Sequence, residues 1–253
     1  MLELNKIYNM DCLDGMRSME NDSVDYVITS PPYNFNLRVH YGKYGGMGTT
    51  DKNKYNYMVS DRLPIDDYYE WQKSCIGEML RVCKGVVFYN IQLLTGNKDA
   101  FFRILGDYHD KVKEVIIWDK MHAEPSVNDG VLNSMFEFIV VFDKNNAIGR
   151  RFENAKFERG KLSNIFRIPK NRSRNKVNHK AVFPIELPLT IIKNFTNEND
   201  VILDPFIGIG TTAVACIQTN RSFVGFELNK EYFDYANSKI SEEFDKKEKM
   251  LFD

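Results

Sequence analysis

An α/β fold is predicted by three observations on this 253-residue chain. Short β-rich runs alternate with segments of helical apolar spacing, as in Val86 to Ile91 after the helix expected over Asp66 to Val82. One apolar run, Val24 to Ile28, stops at the two prolines of Ser30-Pro31-Pro32-Tyr33. A second, Val201 to Leu203, stops at an acid and a glycine-containing turn, Asp204 to Gly210. Strands that end in special turns of this kind belong to open α/β sheets, where ligands meet the carboxyl edge.

In chain order, Leu4 to Asn9 reads as a short strand, followed by a polar turn around Asp11, which either meets a ligand or caps the next helix. In the SPPY stretch the prolines fix their own φ and extend the residue before them, which presets the Ser30 and Pro31 carbonyls and the Ser30 hydroxyl. Acceptors beside a flat ring, Tyr33, suit the exocyclic amine of a planar base; a plain strand-ending turn is the alternative. Residues 35–64 are rich in Gly, Tyr, Asn and Lys and read as a flap, with Arg38 and Lys43 facing nucleic acid or simply a mobile loop. Lys84-Gly85 ends the helix before Val86. Val115 to Trp118 and Phe136 to Phe142 read as further strands, the second deep in a sheet.

The net charge is −1, so a polyanion has to be met by a local patch. Residues 150–180 supply one, with eleven Lys or Arg against Glu153 and Glu158. Arg167, Lys170, Arg172, Arg174 and Lys176 are its candidate phosphate contacts. The alternative is a solvated charged face. The four cysteines show no zinc spacing and read as buried thiols of a reducing compartment, with no metal. No signal segment or long apolar span is present in the sequence, so a cytoplasmic location is expected and a membrane partner is not.

After Asp204 the glycine turn leads into a helix over Ala213 to Gln218, capped by Thr residues. The strand Ser222 to Phe226 then carries Glu227 at its tip, where a carboxylate can take both hydroxyls of a ribose. Tyr232 to Asp253 reads as an amphipathic, then charged, helix. The turn is not GxGxxG and lacks the lysine of a P-loop.

SPPY, DPFIGIGTT and Glu227 together resemble the β-class DNA amino-methyltransferases, in which the catalytic motif precedes the cofactor motif. Further pieces stand in the family order: NMDCLDGM (9–16), IIWDK (116–120), FEFIVVFDK containing Glu137, and HKAVFPIELP (179–188). The likeness covers nearly the whole chain. It departs in a short segment before HKAVFP and in Lys180, where the family often has proline.

The resemblance implies one Rossmann-like S-adenosylmethionine-dependent methyltransferase domain over 1–253. Its sheet would be seven-stranded and mostly parallel, with one reversed strand near an edge, a flap at 35–64 and a small basic target-recognition insertion at 144–178. S-adenosylmethionine would lie against Asp11, Cys12, His179, Phe183, Asp204, Phe206, Gly208, Gly210, Thr211 and Glu227. Ser30, Pro31, Pro32 and Tyr33 would be catalytic, and Asn34 would help hold an extruded base. Double-stranded DNA is the implied partner, and a companion restriction endonuclease and a homodimer are compatible with the family. In that family Ser at the first catalytic position tends to accompany N4 of cytosine, and Asp or Asn N6 of adenine. Relatives acting on RNA or protein glutamine typically carry NPPY after the cofactor motif. An inactive DNA-binding module would be expected to lose Ser30, Tyr33 or Glu227, and all three are present.

Overall fold

The computed structural model describes residues 2–35, 39–40, 43–44, 63–124, 129–145, 147–170 and 183–252. Its main sheet is built from β1 (Lys6–Tyr8), β2 (Tyr26–Thr29), β5 (Val86–Ile91), β6 (Val112–Glu124), β7 (Ser134–Asp143), β8 (Ile165–Arg167), β9 (Val201–Asp204) and β10 (Ser222–Phe226). The spatial order is β1-β10-β9-β2-β5-β7-β6-β8. Only β7 runs against its neighbours; the other pairings are parallel. The expected seven strands are therefore eight. The extra one, β8, is three residues long and finds its place only by pairing with β6 at the sheet edge.

Parallel strands covered on both faces read as continuous apolar runs, and their side chains alternate between two cores. On β5, Val86 and Phe88 enter one core, and Val87, Tyr89 and Ile91 the other. The first core lies under α4 (Glu186–Phe195), α5 (Thr211–Gln218) and α6 (Lys230–Phe252). The second lies under α1 (Cys12–Arg17), α2 (Ile65–Val82) and α3 (Lys98–Asp107). Each fully buried aliphatic or phenyl side chain contributes about 1.5–3 kcal/mol. Helix α2 has Asp66 and Asp67 in its first turn and Arg81 in its last, matching the helix dipole. It gives way to β5 at Gly85, where a side chain would sit 2.6 Å from the Asp25 carbonyl, so only glycine lets the chain pass.

Of the flap expected over 35–64, β3 (Val39–His40) pairs antiparallel with β4 (Lys43–Tyr44). Residues 36–38, 41–42 and 45–62 lie outside the described residues. The described part of 144–178 lays Phe152, Phe157 and Leu162 on the first core and adds β8 to the sheet.

Candidate active site at the carboxyl edge of the sheet

Strands β9 and β2 lie side by side, with Tyr26 opposite Ile202 and Val27 opposite Leu203. The helix that follows β2 covers one face and the helix that follows β9 covers the other. The point where the two chain paths part is a topological switch point, where open α/β sheets bind their ligands. The two motif-bearing loops, distant in sequence, thus meet at one edge.

Asp204 joins them. Its buried carboxylate accepts from the Thr29 hydroxyl (2.7 Å), the Thr212 hydroxyl (2.6 Å) and the Phe206 amide (3.1 Å). Burial pushes its pKa up to about 6, against the opposing pull of those three donors. The turn beyond it has φ of +54° at Gly208 and +81° at Gly210, a backbone that glycine adopts without strain. Gly210 caps α5, with Thr211 buried behind it. Phe206 meets the edge of Trp71 at 5.6 Å between ring centroids.

Glu227 stands at the tip of β10, its carboxylate accepting from the Asn229 amide at 2.7 Å. Burial pushes its pKa up to about 7, partly countered by the Asn229, Gly208 and Leu228 amides. The end of β1 is tied to the same point by Asn9, whose side chain donates to the Glu227 carbonyl (2.8 Å) and the Leu228 carbonyl (3.1 Å). Asp11 caps α1, accepting from the Leu13 amide at 2.8 Å, while the Cys12 thiol is buried 4.0 Å from that of Cys75. Phe183 is half-buried and lines a small crevice with Thr29, Asn90, Ile139 and Leu187. His179 lies outside the described residues.

The SPPY loop is held from several sides. Tyr68 donates to the Pro32 carbonyl (2.8 Å), and Asn97 to the Tyr33 carbonyl (2.8 Å). Asn34, at φ +52°, is buried, and its amide donates to the Leu63 (3.0 Å) and Gly96 (2.8 Å) carbonyls, so it fastens the loop from inside. Among the described residues the Ser30 and Pro31 carbonyls carry no backbone hydrogen bond outside the strand ladder. The Tyr33 ring is buried beside Phe35 at 6.1 Å and 30°. Its hydroxyl donates to Glu137 Oε2 (2.8 Å) and lies 2.6 Å from Ser30 Oγ. Asn90 Nδ2 donates to Tyr33 Oη and Glu137 Oε2, both at 2.7 Å. Lys120 Nζ closes the group 3.4 Å from Glu137 Oε1.

Sequence reasoning assigned no role to Asn90, Glu137 and Lys120. A signal was available for two of them: Asn90 and Glu137 each interrupt an apolar run of a strand, where a buried polar group without a partner is costly, whereas Lys120 lies in a strand with several other charges. Of the candidate DNA contacts, Arg167 is exposed and 3.8 Å from Asp119, and Lys170 is exposed. Lys43 lies in β4. Arg38, Arg172, Arg174 and Lys176 fall outside the described residues. Among the described residues no helix is long and apolar enough to cross a membrane.

The proline loop and the glycine turn, joined across a switch point with an acid on the next strand tip, are arranged as the resemblance to an S-adenosylmethionine-dependent methyltransferase implies. A family described as DNA methylase, comprising N6- and N4-directed methyltransferases, matches residues 24–238, and the chain belongs to it. It is 28% identical to the Type II methyltransferase M.BglII of Bacillus subtilis, over 96% of this chain and 70% of that protein. It is 26% identical to the Type II methyltransferase M1.MboII of Moraxella bovis, over 94% and 96% respectively. Its fold is similar to that of PvuII DNA methyltransferase (cytosine-N4-specific), with a TM-score of 0.69, 19% identity and 95% and 91% coverage. The M1.HpyAVI–SAM complex gives a TM-score of 0.61 at 21% identity, with 92% and 98% covered.

The chain is thus a DNA methyltransferase of the amino-directed family, using S-adenosylmethionine. The edge fits that cofactor chemically. The Glu227 carboxylate is held by backbone amides, those of Asn229, Gly208 and Leu228, and burial still raises its pKa; ribose hydroxyls would add donors that favour its ionised form.

Proposed function

We propose that the chain methylates N4 of cytosine in double-stranded DNA. The observation that carries this is Ser30 at the head of the catalytic loop, with its hydroxyl in contact with Tyr33. Tyr33 gives its proton to Glu137, so Ser30 gives its own to Tyr33 and keeps an oxygen lone pair for the amine beside the longer contact from Asn90 at 3.3 Å. Ser30 Oγ and the Pro31 carbonyl accept the two amino hydrogens. An exocyclic amine is conjugated to its ring, and these bonds draw its nitrogen out of the ring plane and free the lone pair.

The bound cofactor supplies a methyl group already activated by a sulfonium. Glu227 takes its ribose hydroxyls, Asp204 fixes the turn of Gly208 and Gly210 beneath it, and Phe183, Phe206 and Thr211 bound its pocket. Asp11 and Cys12 border the adenine end, with His179 beside it. The chain mainly orients nitrogen, carbon and sulfur in line, which supplies roughly 7–11 kcal/mol. Extruding the base costs a few kcal/mol. A ring at the loop offsets about 1–3 kcal/mol of it by stacking. Tyr33 was the expected ring, but its hydroxyl is held and its ring buried, so Phe35, 39% exposed, is the better placed of the pair.

Lys43, Arg38, Arg167, Lys170, Arg172, Arg174 and Lys176 meet phosphates, the last five within the small basic recognition segment at 144–178. The Type II designation of both relatives supports a companion endonuclease. The same loop would accept N6 of adenine, and the cytosine-N4 specificity of the PvuII enzyme favours cytosine. Incubation with labelled cofactor and unmethylated DNA, followed by digestion to nucleosides, decides between them. Label in N4-methyldeoxycytidine is expected; label confined to N6-methyldeoxyadenosine overturns the assignment.

A further inference from the structure

The cluster at the ends of β2, β5, β6 and β7 has an order of donors that leaves little freedom. Tyr33 has one hydroxyl proton and gives it to Glu137 Oε2 at 2.8 Å. Its oxygen therefore accepts from Asn90 Nδ2 at 2.7 Å and from the Ser30 hydroxyl at 2.6 Å. Ser30, Tyr33 and Glu137 form a directed chain of hydrogen bonds running from the loop surface into the sheet. Asn90 Nδ2 also donates to Glu137 Oε2 (2.7 Å) and reaches Ser30 Oγ at 3.3 Å, which fixes the spacing of all three. Glu137 is 7% and Lys120 5% exposed.

A buried ion pair is weak evidence for stability, because desolvating two charges cancels much of their attraction. A carboxylate kept in the sheet at the inner end of a hydroxyl chain has a chemical use. Transfer of a methyl group to an amine leaves the nitrogen with one proton too many. Resting on the proposed amine methylation, we propose that Ser30, Tyr33 and Glu137 form a proton relay that carries this proton from the methylated nitrogen to Glu137, with Asn90 and Lys120 as its positioning residues.

The step balances. The nitrogen lone pair forms the N–CH3 bond as the S–CH3 bond breaks and its electron pair stays on sulfur. The N–H bond then breaks, its electrons returning to nitrogen. The proton goes to Ser30 Oγ, the Ser30 proton to Tyr33 Oη, and the Tyr33 proton to Glu137 Oε2. Each hydroxyl loses one proton and gains one, so no tyrosinate forms. That suits a phenol whose pKa burial and the neighbouring carboxylate push well above its ordinary value.

The test uses the full chain with S-adenosylmethionine and duplex DNA. Tyr33→Phe keeps the ring and removes the hydroxyl; Glu137→Gln keeps the shape and removes the proton acceptor. Each is expected to lower the single-turnover rate about 100-fold, the low end for proton-transfer catalysis. The double variant should be no slower than either single one, as for parts of one device. Cofactor and DNA affinities should stay within about threefold of wild type, and the solvent isotope effect of wild type should vanish in Tyr33→Phe. Glu137→Asp is expected to recover part of the rate where Gln does not. Wild-type methylation with an unchanged rate in Tyr33→Phe, or equal loss in Glu137→Asp and Glu137→Gln, overturns the relay. Absence of amine methylation by the wild-type chain overturns the underlying reading instead.

Discussion

Two halves of one sheet edge handle buried acids in opposite ways. On the β9–β10 side, Asp204 and Glu227 are held by hydroxyls and backbone amides, and among the described residues neither forms an ion pair. Their proton affinities rise accordingly, to about 6 and about 7. On the β5–β7–β6 side, Glu137 is buried at 7% exposure, between Asp204 at 2% and the partly buried Glu227, but has Lys120 beside it. The contrast follows from what each half receives. A sulfonium cofactor brings a positive charge, which carboxylates without a protein cation can balance. A neutral base brings none, so the charge on that side must be balanced from within.

The contrast is broken most severely by removing the cation. Lys120→Met keeps the length of the side chain and leaves Glu137 with neutral donors only, the situation of Asp204. Breaking a buried pair from one side costs about 3–5 kcal/mol, and the double change Lys120→Met with Glu137→Gln is expected to regain most of it. Denaturant unfolding measures both. A single-variant loss below about 1 kcal/mol would mean that water screens the pair and that the two halves are alike.

How much of this edge the sequence discloses depends on how far apart the contributing residues lie. The SPPY loop and the glycine turn are legible because prolines, glycines and an acid at a strand end constrain the backbone locally. Strands β5 and β10 fall where the β-rich runs put them, Val86–Ile91 and Ser222–Phe226. Asp11 was open between ligand contact and cap, and the structure shows it capping α1. The Asn90, Lys120 and Glu137 cluster was not assembled, because its members meet only through strand register. Asn90 lies opposite Ile139, and Trp118 opposite Glu137, pairings that no local signal sets. Strand β8 escaped for the same reason: three residues carry too little periodicity, and β6 selects them.

A smaller effect separates the halves by pH. Asp204 has a folded-state pKa of about 6, above the unfolded value of 3.8, so the folded protein binds the proton more tightly. Its contribution favours folding at low pH and is lost as pH rises through about 6. Asp204→Asn keeps an acceptor for the Thr29 hydroxyl and the Phe206 amide and removes the titration. Between pH 5 and pH 7.5 the unfolding free energy of wild type should fall by roughly 1.5 kcal/mol relative to this variant. Parallel curves in a pH series of urea melts would place Asp204 with the charge-balanced acids.

The smallest effect lies at Glu227, where the same raised pKa acts on binding. Ribose hydroxyls donate to the ionised carboxylate and hold it in that form, so its pKa falls when the cofactor binds. Affinity for S-adenosylmethionine should therefore rise from pH 6 to pH 8 through a midpoint at about 7, with a proton released on binding below that point. Glu227→Gln offers the ribose one neutral acceptor in place of the carboxylate and should bind about tenfold more weakly at pH 8, close to 1.4 kcal/mol. It should also be insensitive to pH, so wild type and variant converge near pH 6. Titration calorimetry in two buffers of different ionisation heat reads the affinity and the proton together. A wild-type affinity flat across this range would mean that Glu227 is ionised throughout, and that a positive charge reaches it from a part of the chain other than the donors it meets here.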